Sequence, residues 1–196
     1  LAFNPTSTTT YTVTGTDVNG CIIFQTVVIT EPPALNITAT VTNVSCFGMC
    51  DGSTSVSVAG GIPPYSYSWS NGQTTPTITN LCAGTYTCTV TDANNCSTQS
   101  TVIVTEPDSL QVEIIDSMTV YSYCAGTNSG QLCAIASGGT PNYNYVWNDM
   151  LGQTTSCAIN LIANQYTVIV MDARNCIAST SFNLVITSRA VLKTYS

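Results

Sequence analysis

The sequence predicts an all-β protein of tandem two-sheet antiparallel sandwiches arranged end to end, and three observations predict it. Hydrophobic residues make up 44% of the 196-residue chain and charged residues only 7%. Polar surface must therefore come from Ser, Thr and Asn, which suit exposed strand faces and turns better than helix interiors. Side chains alternate with a period of two along most of the chain, the pattern of half-buried strands. One block of this alternation also recurs, the mark of a repeat architecture.

The recurrence sets the organisation. Tyr11 to Leu35, YTVTGTDVNGCIIFQTVVITEPPAL, returns as Tyr86 to Leu110, YTCTVTDANNCSTQSTVIVTEPDSL, at an offset of 75, and again from Tyr166, YTVIVMDARNCIASTSFNLVIT, a further 80 along. The first part of the unit occurs twice, from Cys46 and from Cys124, with Met150 and Leu151 marking an insertion in the second copy. Residues 1–33 are thus the back end of one unit, 34–108 a complete unit, and 109–196 a second complete unit with a tail. TEPP at 30–33 and TEPD at 105–108 read as linkers, because Pro removes a donor and stops a sheet.

Within a unit, STSVSV at 53–58 puts Val56 and Val58 on one face. After Gly60, Gly61, Pro63 and Pro64 make a turn, YSYSWS puts Tyr65, Tyr67 and Trp69 on one face, and Asn71-Gly72 closes the next turn. Tyr86, Cys88 and Val90 alternate with Thr85, Thr87, Thr89 and Thr91, and a DANN hairpin leads into STQSTVIV. About seven short strands in under 80 residues is the signature of a two-sheet sandwich. The plan is immunoglobulin-like: Trp69 and Trp147 stand where the third strand carries its buried Trp, and Tyr86 and Tyr166 follow a Leu-x-x-Gly or Leu-x-x-Asn corner. Cys88 holds the Tyr-x-Cys position but faces Val56 and Val58, and the second unit has Val168 there, so Cys88 is expected as a core thiol rather than half of an inter-sheet bridge.

Composition excludes most functions. Ten acidic against three basic residues give a net charge of −7, and Arg174, Arg189 and Lys193 cannot clothe a nucleic acid. With no His there is no His triad, imidazole ligand or His general base. The acids are scattered over equivalent loops, so no paired-carboxylate cleft and no catalytic constellation is expected, and no cofactor. Asp17, Asp92 and Asp172 recur beside the hairpin; a turn-capping role is favoured over Ca²⁺ ligation because no acidic cluster joins them. No apolar run is long enough to cross a bilayer, and no signal opens the chain, so either a signal has been removed or residue 1 is internal. Ten cysteines without His or paired zinc spacing point to disulfides and a location outside the cytoplasm.

The run VSCFGMCDGSTSVSVAGGIPPYSYSWSNGQTT, followed by LCAGTYTCTVTDANNC and VIVTEP, resembles the SprB-type repeat found in tandem in very long cell-surface adhesins of gliding Bacteroidetes. That resemblance spans nearly all of residues 1–187. It implies secretion by the type IX pathway, display on the cell surface and a part in adhesion or gliding. The chain lacks the C-terminal sorting domain of such proteins, and SRAVLKTYS at 188–196 departs from the linker pattern, which makes it either a piece of a longer polypeptide or a short relative.

The cysteines carry the candidate chemistry. Cys46 and Cys124 recur at the end of the first strand, and Cys21, Cys96 and Cys176 just after the hairpin turn. In an immunoglobulin-like sandwich these places lie at opposite ends, roughly 25 Å apart, too far for a disulfide, which needs Cα atoms within about 7 Å. In a head-to-tail array the bottom of one unit abuts the top of the next, so the expected staple joins Cys46 to Cys176. Cys21 and Cys96 are then left to earlier units and Cys124 to a later unit or a neighbouring molecule. A different strand order with bonds inside one unit is the alternative. Cys50 and Cys82 lie at one end and can meet; Cys133 and Cys157, at outward positions on adjacent strands, can bridge across the sheet. The absence of CxxC favours structure over redox catalysis.

Two surface readings remain open. Ser109 and Ser117 sit in Asp-Ser-aliphatic triplets resembling a Bacteroidetes O-glycosylation sequon, while the N-glycan triplets at Asn36, Asn43 and Asn95 are expected to be unmodified in a bacterium. Tyr121 and Tyr123 are candidates for stacking on sugar or for packing against a neighbour. The functional expectation is a non-catalytic stalk or filament segment on the bacterial surface, its partners being other copies or adjacent repeats. Residues 1–33 supply only the last strands of a sandwich; if residue 1 is a true terminus, another copy must complete it by strand complementation, and the chain polymerises. The alternatives are a module that binds surface polysaccharide and a spacer of a secreted enzyme.

Overall fold

Fourteen strands account for the alternating segments in a computed structural model that describes residues 7–115 and 130–185. Ser117, Tyr121, Tyr123 and Cys124 lie outside the described residues. The strands are β1 (Thr9–Thr16), β2 (Ile22–Ile29), β3 (Asn36–Thr42), β4 (Gly52–Ala59), β5 (Ser66–Trp69), β6 (Thr77–Leu81) and β7 (Gly84–Thr91). They continue as β8 (Ser97–Val104), β9 (Gln111–Ile115), β10 (Gly130–Ser137), β11 (Asn144–Trp147), β12 (Cys157–Leu161), β13 (Asn164–Met171) and β14 (Ile177–Leu184). Among the described residues there is no helix.

The sheets repeat strand for strand. The first complete repeat has β3-β4-β6 and β5-β7-β8; the second has β9-β10-β12 and β11-β13-β14. In order of occurrence each repeat therefore places its first, second and fourth strands in one sheet and its third, fifth and sixth in the other, the immunoglobulin-like division. By compactness the chain falls into two units, Leu1–Thr40 with Ser55–Ile78 and Tyr86–Val102, and Val41–Thr54 with Thr79–Thr85 and Ile103–Ser196.

Alternation explains the second repeat's core. Leu132, Ala134, Ala158 and Leu161 from one sheet meet Trp147, Tyr166, Val168, Val170 and Leu184 from the other, all buried. Burial of such aliphatic and aromatic side chains stabilises by about 1.5–3 kcal/mol each. Two polar atoms enter this core already satisfied: Trp147 Nε1 donates to Thr155 O at 2.9 Å, and Tyr166 Oη donates to Ile162 O at 3.1 Å, a tyrosine corner. The first repeat buries Trp69, Cys88 and Val90 in the equivalent places, and Trp69 Nε1 donates to Thr75 O at 2.9 Å.

Hydroxyl groups face outward and pair across strands. Thr87 and Thr101 lie 3.0 Å apart at their hydroxyl oxygens, Thr167 and Ser181 2.8 Å, and Thr40 and Ser55 2.9 Å. Cross-strand hydroxyl pairs of this kind contribute a few tenths of a kcal/mol each while keeping the sheet face polar.

The hairpin β1–β2 is the fifth and sixth strands of a repeat, and among the described residues these two strands make up their sheet. Its register is that of β13–β14: Tyr11 pairs with Val27 as Tyr166 pairs with Phe182, Val13 with Gln25 as Val168 with Thr180, and Gly15 with Ile23 as Val170 with Ala178. Where Val168 is fully buried, Val13 is 59% exposed, and Ile23 and Val27 are exposed beside it.

Candidate functional site

Three hairpin turns are built on one aspartate each. Asp17, Asp92 and Asp172 use Oδ1 to accept the backbone N–H groups two and four residues on: Asn19 and Cys21 at 2.8 Å, Asn94 and Cys96 at 2.9 Å, Arg174 at 2.8 Å and Cys176 at 2.9 Å. Asp was the residue type for this because a short carboxylate can close the turn it belongs to. Asn95 and Asn175 take the left-handed conformation at the turn's third position, φ 63° and 65°. In the complete repeats the other carboxylate oxygen reaches the loop after the second strand: Asp92 Oδ2 accepts Ile62 N–H at 3.0 Å and Asp172 Oδ2 accepts Thr140 N–H at 2.8 Å. These aspartates cap turns, and no group of three or more His, Cys, Asp or Glu fit to hold a metal occurs among the described residues.

The carboxyls of Asp92 and Asp172 are held below the ordinary Asp range. For Asp92 the largest cause is the Ile62 N–H, aided by Cys96 and Asn94 against the cost of burial. For Asp172 burial pushes upward, but the N–H groups of Thr140, Cys176 and Arg174 and the nearby Arg174 charge outweigh it. Two glycines make the arrangement possible. Gly138 (φ 73°) lies so close to the Ser109 carbonyl that a Cβ would collide with it, and at Gly139 (φ 59°) a Cβ would come 2.6 Å from Asp172 Oδ2.

The turn of Asp172 presents Cys176 to the loop after β3. Cys46 and Cys176 are disulfide-bonded with Cα atoms 5.7 Å apart, across 130 residues of sequence. The loop arrives already ordered. Val44 is fully buried and its N–H donates to Thr105 O at 3.0 Å; Thr105 N–H donates to Asn43 Oδ1 at 3.0 Å. Ser45 N–H donates to Asp51 Oδ1 at 2.9 Å, and hydrogen bonds from Ser45, side chain first and then backbone, hold the Asp51 carboxyl below its usual range. Gly48 N–H donates to Glu106 Oε2 at 2.7 Å, fastening the loop to the Thr-Glu-Pro linker. Arg174 Nη1 donates to Val44 O at 3.1 Å, and Cys176 Sγ sits 3.4 Å from Ser45 O. Cys176 is 8% exposed as a result. A charged donor, a linker carboxylate and a covalent bond thus converge on five residues of one loop.

Cys50 is bonded to Cys82 and Cys133 to Cys157. Cys133 departs from its expected outward position: alternation points it away from the core, between Leu132 and Ala134, yet it is only 2% exposed, with Cys157 opposite and the Gln131 amide 3.3 Å from its sulfur. Cys21 and Cys96 are exposed free thiols and Cys88 a buried one, whose titration burial pushes up. Ser109 is half-buried, its Oγ accepting Gln111 Nε2 at 3.0 Å. The inserted Met150 and Leu151 are exposed on a turn whose Asp149 caps Leu151 and Gln153, beside a cavity of about 350 Å³ that reaches Ile162 and Tyr166.

Arg174 and Glu106 were not singled out as site residues from the sequence. Glu106 carries a signal in hindsight, since the linker glutamate recurs as Glu31; Arg174 carries none, because the equivalent positions hold Asn19 and Asn94.

The SprB repeat family model matches residues 38–74 and 121–152. No curated protein matches. Among solved structures the chain is similar to one described under "Structural basis for Dscam isoform specificity", at 15% identity and TM-score 0.37, covering 91% of this chain and 54% of that one. It is also similar to the N-terminal eight Ig domains of Down Syndrome Cell Adhesion Molecule isoform 1.30.30, at 13% identity and TM-score 0.38, covering 91% and 27%. A third is DIP-gamma IG1+IG2, at 11% identity and TM-score 0.37, covering 80% and 99%. The chain therefore spans about half and about a quarter of the first two.

Proposed function

We propose that this chain is a non-catalytic, tension-bearing segment of an extracellular adhesin or filament on a bacterial surface. The observation that carries this reading is the disulfide from Cys46 in one repeat to Cys176 in the next. A flexible linker suffices to tether two independent modules; a covalent bond flanked by the Arg174 and Glu106 contacts turns the junction into a fixed joint. Three disulfides also belong to an oxidising compartment. The SprB repeat match supports a place among surface adhesins, and with it export through the type IX pathway and service in gliding.

The β1–β2 hairpin supports assembly. Tyr11, Val13, Val27 and Ile29 form the face whose counterparts Tyr166, Val168, Phe182 and Leu184 line the core of the second repeat, and that face calls for the remaining strands of a sandwich. Those strands come from sequence preceding residue 1 in a longer polypeptide or from a second copy, by strand complementation.

Immunogold labelling of intact native cells with antibody raised against residues 34–185 tests the reading. Label on the cell exterior or on shed fibres is expected, and antigen confined to the cell interior would overturn it. Sedimentation of the isolated chain tests self-assembly: concentration-dependent oligomers are expected, and a monomer at all concentrations would remove the second copy as the donor.

A further inference from the structure

The first repeat carries, at its own hairpin end, the same acceptor apparatus that binds the loop at Cys176, and there it is uncovered. Cys96 N–H and Cys176 N–H are each held at 2.9 Å by their turn aspartate. Asp92 N–H donates to Cys96 O at 2.9 Å as Asp172 N–H does to Cys176 O at 3.0 Å, and Gly61 N–H donates to Pro33 O as Gly139 N–H does to Asp108 O, both at 2.8 Å. The two thiol positions thus have one local geometry. Their surroundings differ: Cys176 is bonded and 8% exposed, whereas Cys96 is free and exposed.

Beside Cys96 is a cavity of about 350 Å³ lined by Glu31, Pro33, Gly61, Asp92, Cys96 and Thr98. Glu31 is the counterpart, 75 residues earlier, of Glu106, which takes the N–H of Gly48 two positions after the bonding cysteine. Asn94 stands at the position of Arg174 and retains an amide donor for the carbonyl two residues before that cysteine. The covalent position, the linker carboxylate and the side-chain donor are all present around Cys96.

We propose that Cys96 is the acceptor thiol of a further cross-repeat disulfide, formed with the cysteine of a Val-Ser-Cys-x-Gly loop of a preceding repeat whose glycine N–H is received by Glu31. The inference rests on reading the chain as a jointed surface segment, and it names that segment's next covalent partner. In bond formation the two thiols give up two protons and two electrons to a disulfide-class oxidant, which leaves as two thiols.

The probe is a peptide copying residues 42–48, Thr-Asn-Val-Ser-Cys-Phe-Gly, its cysteine activated as a 2-thiopyridyl mixed disulfide. The Cys96 thiolate attacks the peptide sulfur, the peptide–Cys96 bond forms, and the bond to the thiopyridyl group breaks with release of 2-thiopyridone, read by absorbance and by intact mass. The full chain is used with Cys21→Ser and Cys124→Ser, so that the remaining free thiols are Cys96 and the buried Cys88. The native-sequence peptide is expected to react at least about tenfold faster than a scrambled one, a difference of about 1.4 kcal/mol in barrier. Glu31→Gln is expected to cut that preference threefold or more, each peptide rate being taken relative to the rate of the same variant with 2,2′-dithiodipyridine. Equal rates for the two peptides, or a preference indifferent to Glu31→Gln, would overturn the assignment. Surface labelling of native cells reads out independently, so loss of one result leaves the other standing.

Discussion

Stretching the molecule from its ends measures the joint directly. With the Cys46–Cys176 bond intact, the two cysteines stay 5.7 Å apart at their Cα atoms whatever happens to the 130 residues between them. In a Cys46→Ser/Cys176→Ser chain the other two bridges still hide their own loops. The force path then runs 4 residues from Cys46 to Cys50, 51 from Cys82 to Cys133 and 19 from Cys157 to Cys176, about 74 in all. At 3.3–3.6 Å per extended residue that releases roughly 250 Å of chain. Full reduction of the native chain releases all 130 residues, roughly 450 Å. The same bond is worth about 4.5 kcal/mol of chain entropy for a loop of about 74 residues. Single-molecule pulling under oxidising conditions should show the 250 Å increment in the double variant and not in the native chain. Should the oxidised native chain extend as far as the double variant, the joint bears no tension and the mechanical reading fails.

Other consequences can be measured in bulk. Asp172→Ala strips the acceptor from the N–H groups of Thr140, Arg174 and Cys176, and should lower unfolding free energy by about 3 kcal/mol in a urea titration. Because the folded-state titrations of Asp92 and Asp172 lie below that of an unfolded Asp, near 3.9, their stabilisation is complete above that value and is lost as pH falls through the folded-state ones; the urea midpoint should hold from pH 5 to 8 and drop below about pH 4, less steeply in Asp172→Asn. Gly139→Ala must fit a Cβ against Asp172 Oδ2 at a left-handed φ, and should cost at least about 1–2 kcal/mol, seen as a lower thermal midpoint. Cys88, buried and raised in its titration, should resist a thiol reagent in the native state and react on unfolding, whereas Cys21 and Cys96 react at once.

The fold was legible because period-two alternation assigns each side chain a face, as in Val168 and Val170 against Thr167, and because Trp147 and Tyr166 fill positions particular to one strand order. What the chain order hid were contacts made by single residues at long range. Arg174 reaches Val44 across 130 positions, and its neighbours in the repeat are asparagines, so no recurrence marks it. The burial of Cys133 was hidden too, since alternation reports which face a residue takes and not what covers that face. Asn80 and Asn160 adopt φ of 57° and 58° inside strands that read as regular, a local kink that the alternation pattern does not encode.

The hydroxyl pairs on the outer sheets have one more consequence. With only 13 formal charges on 196 residues, the exterior owes its wetting to neutral groups such as Thr87, Thr101, Thr167 and Ser181. Neutral dipoles are neither screened by dissolved ions nor titrated at ordinary acidity. Hydration carried by such groups is the same in brine, fresh water or a mildly acidic film, while the long-range field is left to the net charge of −7, which dissolved salt screens within about 8–10 Å at physiological ionic strength.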